Sequence, residues 1–305
     1  MPAMEMRPQE NAIPQPARDL ACELLYRFLA AVLADPRWPG RVGPVGDLER
    51  QTLEAAVREL LDVERKSAAE GAPLATTPLA VDEADVARLV ATAAEGIGQP
   101  EEYYRVFGLV TCHDCPPYET EYQPVTDAFF RAQEMADIAG FYRAFGLAVR
   151  CDLGERPDHI ALELEFMALL LAKGRLAVAE NDPALAAERA AVCDDAQKAF
   201  FRDHLGWWAG GFSQLVQQKA QGGPLAAAGR LLALLIASDR ERLKLPASQR
   251  PLAPAIPTQE PCDECLAGQE ADDGDLPLMV DSGCRPACSA PEQRGASPGV
   301  AGHGC

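Results

Sequence analysis

Apolar residues recur at three- and four-residue spacing along most of the chain up to about residue 245, and this periodicity constrains the fold more than any other feature. Leu20, Leu24, Phe28 and Ala31 form one such series. The spacing places apolar side chains on one face of a helix, where neighbouring helices can bury them. No segment shows the sustained alternation of Val, Ile, Thr and aromatic residues that is typical of strands. The sequence therefore predicts an all-α fold, a single helical-bundle domain.

The composition divides the chain into three parts. We expect residues 1–16, which are rich in proline, to be a flexible N-terminus and residues 17–245 to be the all-helical domain. Within that domain the glycines of HLGWWAGGF predict a corner between two helices. Residues 246–305 contain nine prolines and no Phe, Tyr or Trp, so they cannot bury enough apolar surface to offset their ordering entropy. We expect them to be an acidic, disordered tail unless their cysteines bind a metal.

The formal net charge of -18 at pH 7 narrows the choice of partners. It disfavours nucleic acids and anionic membrane surfaces, which would be repelled, and favours cationic partners. The first residues lack the apolar segment of a secretion signal, and no apolar run is long enough to span a membrane. We therefore expect a soluble cytoplasmic protein whose ten cysteines are mostly reduced.

The segment ERPDHIALELEFM gathers acidic and imidazole side chains at the start of a predicted helix. Pro157 suits a first helical turn, where its missing amide hydrogen would have no partner. Asp158 would then lie in the favourable field of the helix N-terminus. His159 and Glu163 are four residues apart, which makes them neighbours on the helix surface. The apolar stripe of this helix is predicted to be buried and consists of Ile160, Leu164, Met167 and Leu171.

Three interpretations of these polar residues stay open. They could form a metal site or an acid–base pair, because imidazole and carboxylate one turn apart can share an ion or a proton. However, neither the Glu-x-x-His nor the His-Glu-x-x-His signature is present. They could simply stabilise the start of the helix. Alternatively, Asp158, Glu163 or Glu165 could accept hydrogen bonds from an arginine of a partner.

Cysteines form two further candidate sites. Cys112, His113 and Cys115 precede two adjacent prolines, but this cluster lacks a second metal half-site nearby and the βαβ context of a redox CxxC. The tail carries two more pairs, which can supply a tetrahedral zinc site or ligands for an iron–sulfur cluster. The candidate metal ligands of the tail are Cys262, Cys265, Cys284 and Cys288.

Three stretches together resemble the TorD/DmsD/NarJ family of all-helical cytoplasmic chaperones for molybdenum enzymes. They are YYRVFG at 103–108, PPYETEY at 116–122 and PDHIALELEFM at 157–167. The similarity spans roughly residues 18–243, and the Pro-Asp-His opening is its most specific element. The form CHDCPPYETEY is most similar to the branch that serves respiratory enzymes of the dimethyl sulfoxide reductase type.

The resemblance implies a chaperone that binds the apo catalytic subunit of a molybdenum oxidoreductase, often through its twin-arginine leader, until the molybdopterin cofactor is inserted. A transient contact with that cofactor is compatible with this role. The resemblance also places a peptide-binding surface near the Pro-Asp-His turn and the Pro-x-Glu loop. The residues to which it assigns partner or leader binding are Tyr118, Glu119, Pro157, Asp158, His159 and Glu163.

We therefore expect a non-catalytic, system-specific chaperone that assists assembly of its client before export. The alternative is a metal-handling or redox protein in which Cys112, Cys115 and the tail cysteines act together. A hydrolase or transferase centred on His159 and Glu163 is disfavoured, because the sequence shows no nucleophile or oxyanion donors to accompany them.

Overall fold

The structure is a computed structural model of the chain. It describes residues 15–38, 45–69, 83–108, 114–123, 127–150, 154–178 and 180–246. These residues belong to one compact unit, Met1–Pro257, and the second unit, Thr258–Cys305, lies outside the described residues. Residues 1–14 of the predicted flexible N-terminus and residues 247–305 of the predicted tail also lie outside them. Residues 15 and 16, predicted to be flexible, are the first residues of a helix instead.

The described residues form helices joined by short connections, which confirms the predicted all-α fold. The helices are α1 (Gln15–Leu33), α2 (Asp47–Ala69), α3 (Glu83–Glu95), α4 (Pro100–Phe107), α5 (Ala128–Ala144), α6 (Ile160–Ala177), α7 (Pro183–Phe200), α8 (Gly206–Ala220) and α9 (Gly223–Arg242). A short 3-10 turn, Glu119–Tyr122, precedes α5, and a π-helical segment, Phe201–Leu205, joins α7 to α8. None of the described helices combines the length and the apolar character needed to cross a membrane.

Two helix starts depend on an aspartate cap. The Asp182 carboxylate accepts two backbone hydrogen bonds at the start of α7, and Pro183 occupies the first turn. This start agrees with the sequence signal. Asp127 caps α5 in the same way, so α5 begins at Ala128.

The helix predicted to open at Pro157 begins three residues later. Helix α6 starts at Ile160, and His159 is its N-cap, with Nδ1 accepting a hydrogen bond from the Ala161 amide at 3.1 Å. Pro157 and Asp158 belong to the turn before the helix, so the prediction that Asp158 lies in the first helical turn is wrong. The reason is tertiary, because the backbone of this turn pairs with a distant loop instead of with the helix.

Helix α6 packs against α1 and α7. The four residues of its predicted apolar stripe are at most 4% exposed, which confirms that part of the prediction. Phe166 and Leu170, outside the stripe, are buried as well, so the buried face is wider than the stripe, while Glu165 and Lys173 are exposed. Burying one such side chain contributes about 1.5–3 kcal/mol, and α6 therefore gives the polar residues at its start a rigid support.

The predicted corner at HLGWWAGGF does not exist. The chain stays helical through the π-helical segment into α8. A Cβ atom added to Gly206 would lie 2.3 Å from the ring of Phe201 and 2.5 Å from its carbonyl oxygen. The glycine is therefore required for close packing inside a helix, whereas the sequence pattern suggested a turn.

A buried ionic network joins α1, α7 and α9. The Tyr26 hydroxyl donates to Asp239 at 2.7 Å, and Asp239 also pairs with Arg242. Arg242 donates in addition to Gln197 at 2.7 Å and to Asp19 at 3.2 Å. Because buried polar groups are costly when left unpaired, this network fixes the three helices in one register.

Candidate functional site

The two motifs of the resemblance meet in space although about 40 residues separate them. Tyr118 and His159 form an isolated antiparallel bridge. The Glu119 amide donates to the Asp158 carbonyl at 3.0 Å, and the Ile160 amide donates to the carbonyl of residue 117 at 2.9 Å. We call this contact between residues 116–123 and 155–160 the loop–turn junction. It is the one β pairing among the described residues.

Asp158 lies inside the loop–turn junction and is fully buried. Arg156 binds its carboxylate through Nε at 3.0 Å and Nη2 at 2.7 Å. Thr120 donates to the same carboxylate through its amide at 3.1 Å and its hydroxyl at 2.9 Å. The predicted docking role requires Asp158 to accept an arginine of a partner. However, its carboxylate is buried and already binds Arg156 and Thr120.

Arg156 connects the buried side of the junction to its surface. Its Nη1 pairs with Glu121 at 2.9 Å, and Glu121 also accepts from Arg131 at 3.1 Å. The Arg156 guanidinium lies 4.3 Å from the centroid of the Tyr118 ring, a cation–π geometry. Burial works against ionisation of Arg156, but its ion pairs outweigh that effect and raise its pKa.

His159 is fully buried under aromatic side chains. The rings of Trp38 and Tyr118 lie 4.9 and 5.2 Å from its ring, and the Tyr103 hydroxyl lies 3.2 Å from Nε2. Burial lowers the pKa of His159 to about 3 although Asp158 is near, so the ring is neutral at pH 7. Since Nδ1 accepts from the backbone, Nε2 carries the hydrogen and donates to Tyr103.

Half-buried side chains surround this histidine at the surface. We call Trp38, Tyr104, Tyr118 and Glu155 the aromatic rim; all four are partly exposed. Burial raises the pKa of Glu155, whereas hydrogen bonds from Tyr118 and Trp38 favour its charged form. The rim thus presents one partly desolvated carboxyl group between aromatic rings.

A second group of polar residues lies deeper in the bundle. Glu119 accepts from the Trp207 indole at 2.7 Å and from His204 Nδ1 at 3.2 Å, and burial raises its pKa in spite of both donors. Glu163 accepts from the Trp208 indole at 3.1 Å. Burial and the nearby charge of Glu119 raise the pKa of Glu163 well above its usual value, which favours its neutral form.

The structure corrects the predicted surface pair of His159 and Glu163. Both residues are 0% exposed, and their side chains have different partners, Tyr103 for the histidine and Trp208 for the glutamate. A spacing of four residues places two side chains on the same face of a helix, but it does not decide whether that face is exposed to solvent. Pro157 and Tyr118, in contrast, are partly exposed as a docking role requires.

Several residues of the site have no signal in the sequence. Thr120, His204 and Trp208 complete the contacts of the buried motif residues, yet no spacing rule connects them to those residues. Arg156 lies only two positions from Asp158. The pairs that join distant parts of the chain are 36 to 88 positions apart. Trp207 and Trp208 of α8 are both buried.

The structure leaves the cysteine predictions open. Cys115 is buried, and Cys112 and His113 lie outside the described residues. The four candidate metal ligands of the tail, Cys262, Cys265, Cys284 and Cys288, lie outside them too. Zinc or iron–sulfur binding there stays a prediction.

Comparison with known proteins gives two matches. The family model described as "Nitrate reductase delta subunit" matches residues 82–214, a range that contains both sides of the loop–turn junction. Chaperone protein TorD of Vibrio cholerae serotype O1 (strain ATCC 39315 / El Tor Inaba N16961) is 31% identical over 112 residues, which is 37% of this chain and 46% of that protein. The chain thus matches about half the length of this curated relative. Together with the all-helical fold of the described residues, the two matches support the resemblance of the chain to the TorD/DmsD/NarJ family.

Proposed function

We propose that the chain is a system-specific chaperone that binds the apo catalytic subunit of a molybdenum oxidoreductase and its twin-arginine leader, and assists cofactor insertion in the cytoplasm before export. The observation that carries the proposal is the loop–turn junction, in which the two most specific motifs of the resemblance form one structure. The similarity to a protein named as a chaperone supports the same role.

The aromatic rim is the surface that suits a leader peptide best. Tyr104, Tyr118 and Trp38 are partly exposed, and aromatic faces bind both apolar side chains and guanidinium groups. The protein's own arginines already use them in this way, since Arg156 lies over Tyr118 and Arg37 over Tyr104. An arginine of a leader would meet the same chemistry.

Charge at the rim favours the same ligand. Glu155 is the partly exposed acid of the rim, and a carboxylate can bind a guanidinium through two parallel hydrogen bonds. The net charge of -18 attracts a cationic leader over longer distances, and salt screens that attraction. Binding is therefore expected to weaken as ionic strength increases.

In this proposal the buried motif residues do not touch the leader but hold the surface residues in position. Asp158 and His159 hold the loop–turn junction, and Glu119 and Glu163 fix its inner side against Trp207 and Trp208. They are positioning residues. Direct contact with the leader falls to Tyr118 and Glu155.

Calorimetry with a synthetic peptide tests the leader-binding surface. The peptide carries two adjacent arginines followed by an apolar segment, and its control has lysines in place of the arginines. We expect the arginine peptide to bind more tightly, because only guanidinium makes planar, two-point contacts. Tyr118→Ala and Glu155→Gln should each weaken binding about tenfold, which corresponds to ~1.4 kcal/mol.

Glu188, exposed on α7, provides the matched control: Glu188→Gln should bind the peptide as the unmodified chain does. Equal affinity for the arginine and lysine peptides, or full affinity in both rim variants, would rule out the rim as the binding surface.

The client role is tested separately by purifying the tagged chain from its native cells and identifying the bound polypeptide by mass spectrometry. Recovery of bound subunits that belong to enzymes without molybdenum would overturn it.

A further inference from the structure

His204 has a ring nitrogen that the chaperone role does not use. Its Nδ1 lies 3.2 Å from Glu119 Oε2. Glu119 is a buried carboxyl group that can only accept when ionised, so Nδ1 carries the hydrogen and donates. In the neutral ring, Nε2 then keeps a lone pair. This atom is buried and makes no hydrogen bond to any described residue.

Nε2 lies close to carboxyl groups of α5. Asp137 Oδ2 lies 3.3 Å from Nε2 without hydrogen-bond geometry. Three residues, Glu119, Glu134 and His204, each offer one possible ligand atom, and these three atoms lie within 4.8 Å of one another. Acceptors that face each other at such distances repel unless a proton or a metal cation lies between them.

The helix arrangement makes this cluster a formed and accessible site. Glu134 and Asp137 are three residues apart on α5 and therefore share a face, and Phe141, one turn further, packs on the His204 ring at 5.4 Å. His204 belongs to the π-helical segment, a feature that is frequent at functional sites. The Asp137 side chain is 67% exposed, so an ion can enter from solvent.

We propose that His204, Glu134 and Asp137 bind a divalent cation of the Mn²⁺ class, with His204 Nε2 as the nitrogen ligand and Glu119 as the carboxylate that orients the ring through Nδ1. A ligating histidine that donates its second ring nitrogen to a carboxylate is a common arrangement in metal sites. One imidazole with carboxylate oxygens suits Mn²⁺ or Fe²⁺ better than Cu⁺, which prefers sulfur. This site is separate from the aromatic rim and does not depend on leader binding.

Titration of the metal-stripped full chain with Mn²⁺, followed by electron paramagnetic resonance, tests the site. We expect one saturable Mn²⁺ site, and pulsed measurements should show coupling to an imidazole ¹⁴N nucleus. Glu134→Gln and Asp137→Asn should each weaken binding at least tenfold. Both residues are at least partly exposed, so these variants keep the fold. His204→Gln should abolish the ¹⁴N coupling.

Two controls separate this site from other ligands of the chain. Glu188→Gln should leave Mn²⁺ binding unchanged, and so should replacement of Cys262, Cys265, Cys284 and Cys288 by serine, because thiolates prefer softer metals. Absence of saturable binding, absence of ¹⁴N coupling in the unmodified chain, or undiminished binding in both α5 variants would each overturn the proposal. If His204→Gln fails to fold, as circular dichroism would show, the α5 variants and the ¹⁴N coupling decide the outcome.

Discussion

Arg156 binds Asp158 through two nitrogen atoms and thereby fills the place that an incoming arginine would take. The residue just before the Pro-Asp-His motif thus supplies the guanidinium that binds Asp158. A docking role for Asp158 would require this pair to open, which exposes a buried carboxylate. The acids of the motif are better understood as the internal support of the loop–turn junction, and the surface that a ligand touches lies at Tyr118 and Glu155.

Asp158→Ala is expected to destabilise the fold by about 2–4 kcal/mol, because it removes the acceptor of Arg156 and Thr120 inside the protein. Urea unfolding measures this loss. The double variant with Arg156→Ala should cost clearly less than the sum of the single variants, since the two residues interact directly. Asp195→Ala, at an exposed position of α7, should change stability by less than ~0.5 kcal/mol. Strict additivity of the Asp158 and Arg156 variants would contradict the pairing.

His159 is expected to make the fold sensitive to acid. Its pKa is about 3 in the folded chain and about 6.5 in an unfolded one, so the unfolded state binds the extra proton between these values. The stability that neutral His159 contributes is present above pH 6.5 and is lost as the pH falls toward 3, by at most ~1.4 kcal/mol per pH unit. Urea unfolding from pH 7 to pH 4 measures the slope. His159→Asn keeps an N-capping side chain and should show a shallower slope, and equal slopes would disprove the assignment.

Gly206→Ala should destabilise the protein by at least ~2 kcal/mol, because the new methyl group would overlap the ring and carbonyl oxygen of Phe201. Gly210 offers a matched control in the same helix, since a Cβ there meets nothing within 4 Å. Gly210→Ala should stabilise α8 by about 0.5–1 kcal/mol through helix propensity. Thermal or urea unfolding of the two variants should therefore shift in opposite directions. A shift in the same direction would mean that the π-helical segment is not packed as described.

Glu163→Gln should change the free energy of unfolding by less than ~1 kcal/mol at pH 7, because the amide has the shape and charge of the neutral acid and can still accept from Trp208. Glu163→Leu is expected to cost about 1–3 kcal/mol, since the buried indole N–H then loses its acceptor. Urea unfolding at pH 7 compares the two variants. A loss above ~3 kcal/mol in Glu163→Gln would indicate that the ionised form of Glu163 is needed.

The local chemistry of the sequence predicts much of the bundle. Asp182 followed by Pro183 marks the start of α7 correctly, because a capping side chain and a proline act within a few residues. The start of α6 is displaced for the opposite reason. Pro157 satisfies every local rule for a first turn, yet pairing with residues 117–119 keeps this segment out of the helix until Ile160. Such a long-range hydrogen bond cannot be predicted from the residues near it in the sequence.

The sequence by itself determines that the chain is helical, that the face of α6 through Ile160 and Leu164 is core, and, through its motifs, which two loops belong to the site. Periodicity and capping are local properties, so they can be read without coordinates. Only the tertiary structure decides that Asp158, His159 and Glu163 are buried, and that Tyr118 and Glu155 are left at the surface. Burial depends on which other helices cover a face, and the partners of these residues come from elements far away in the chain.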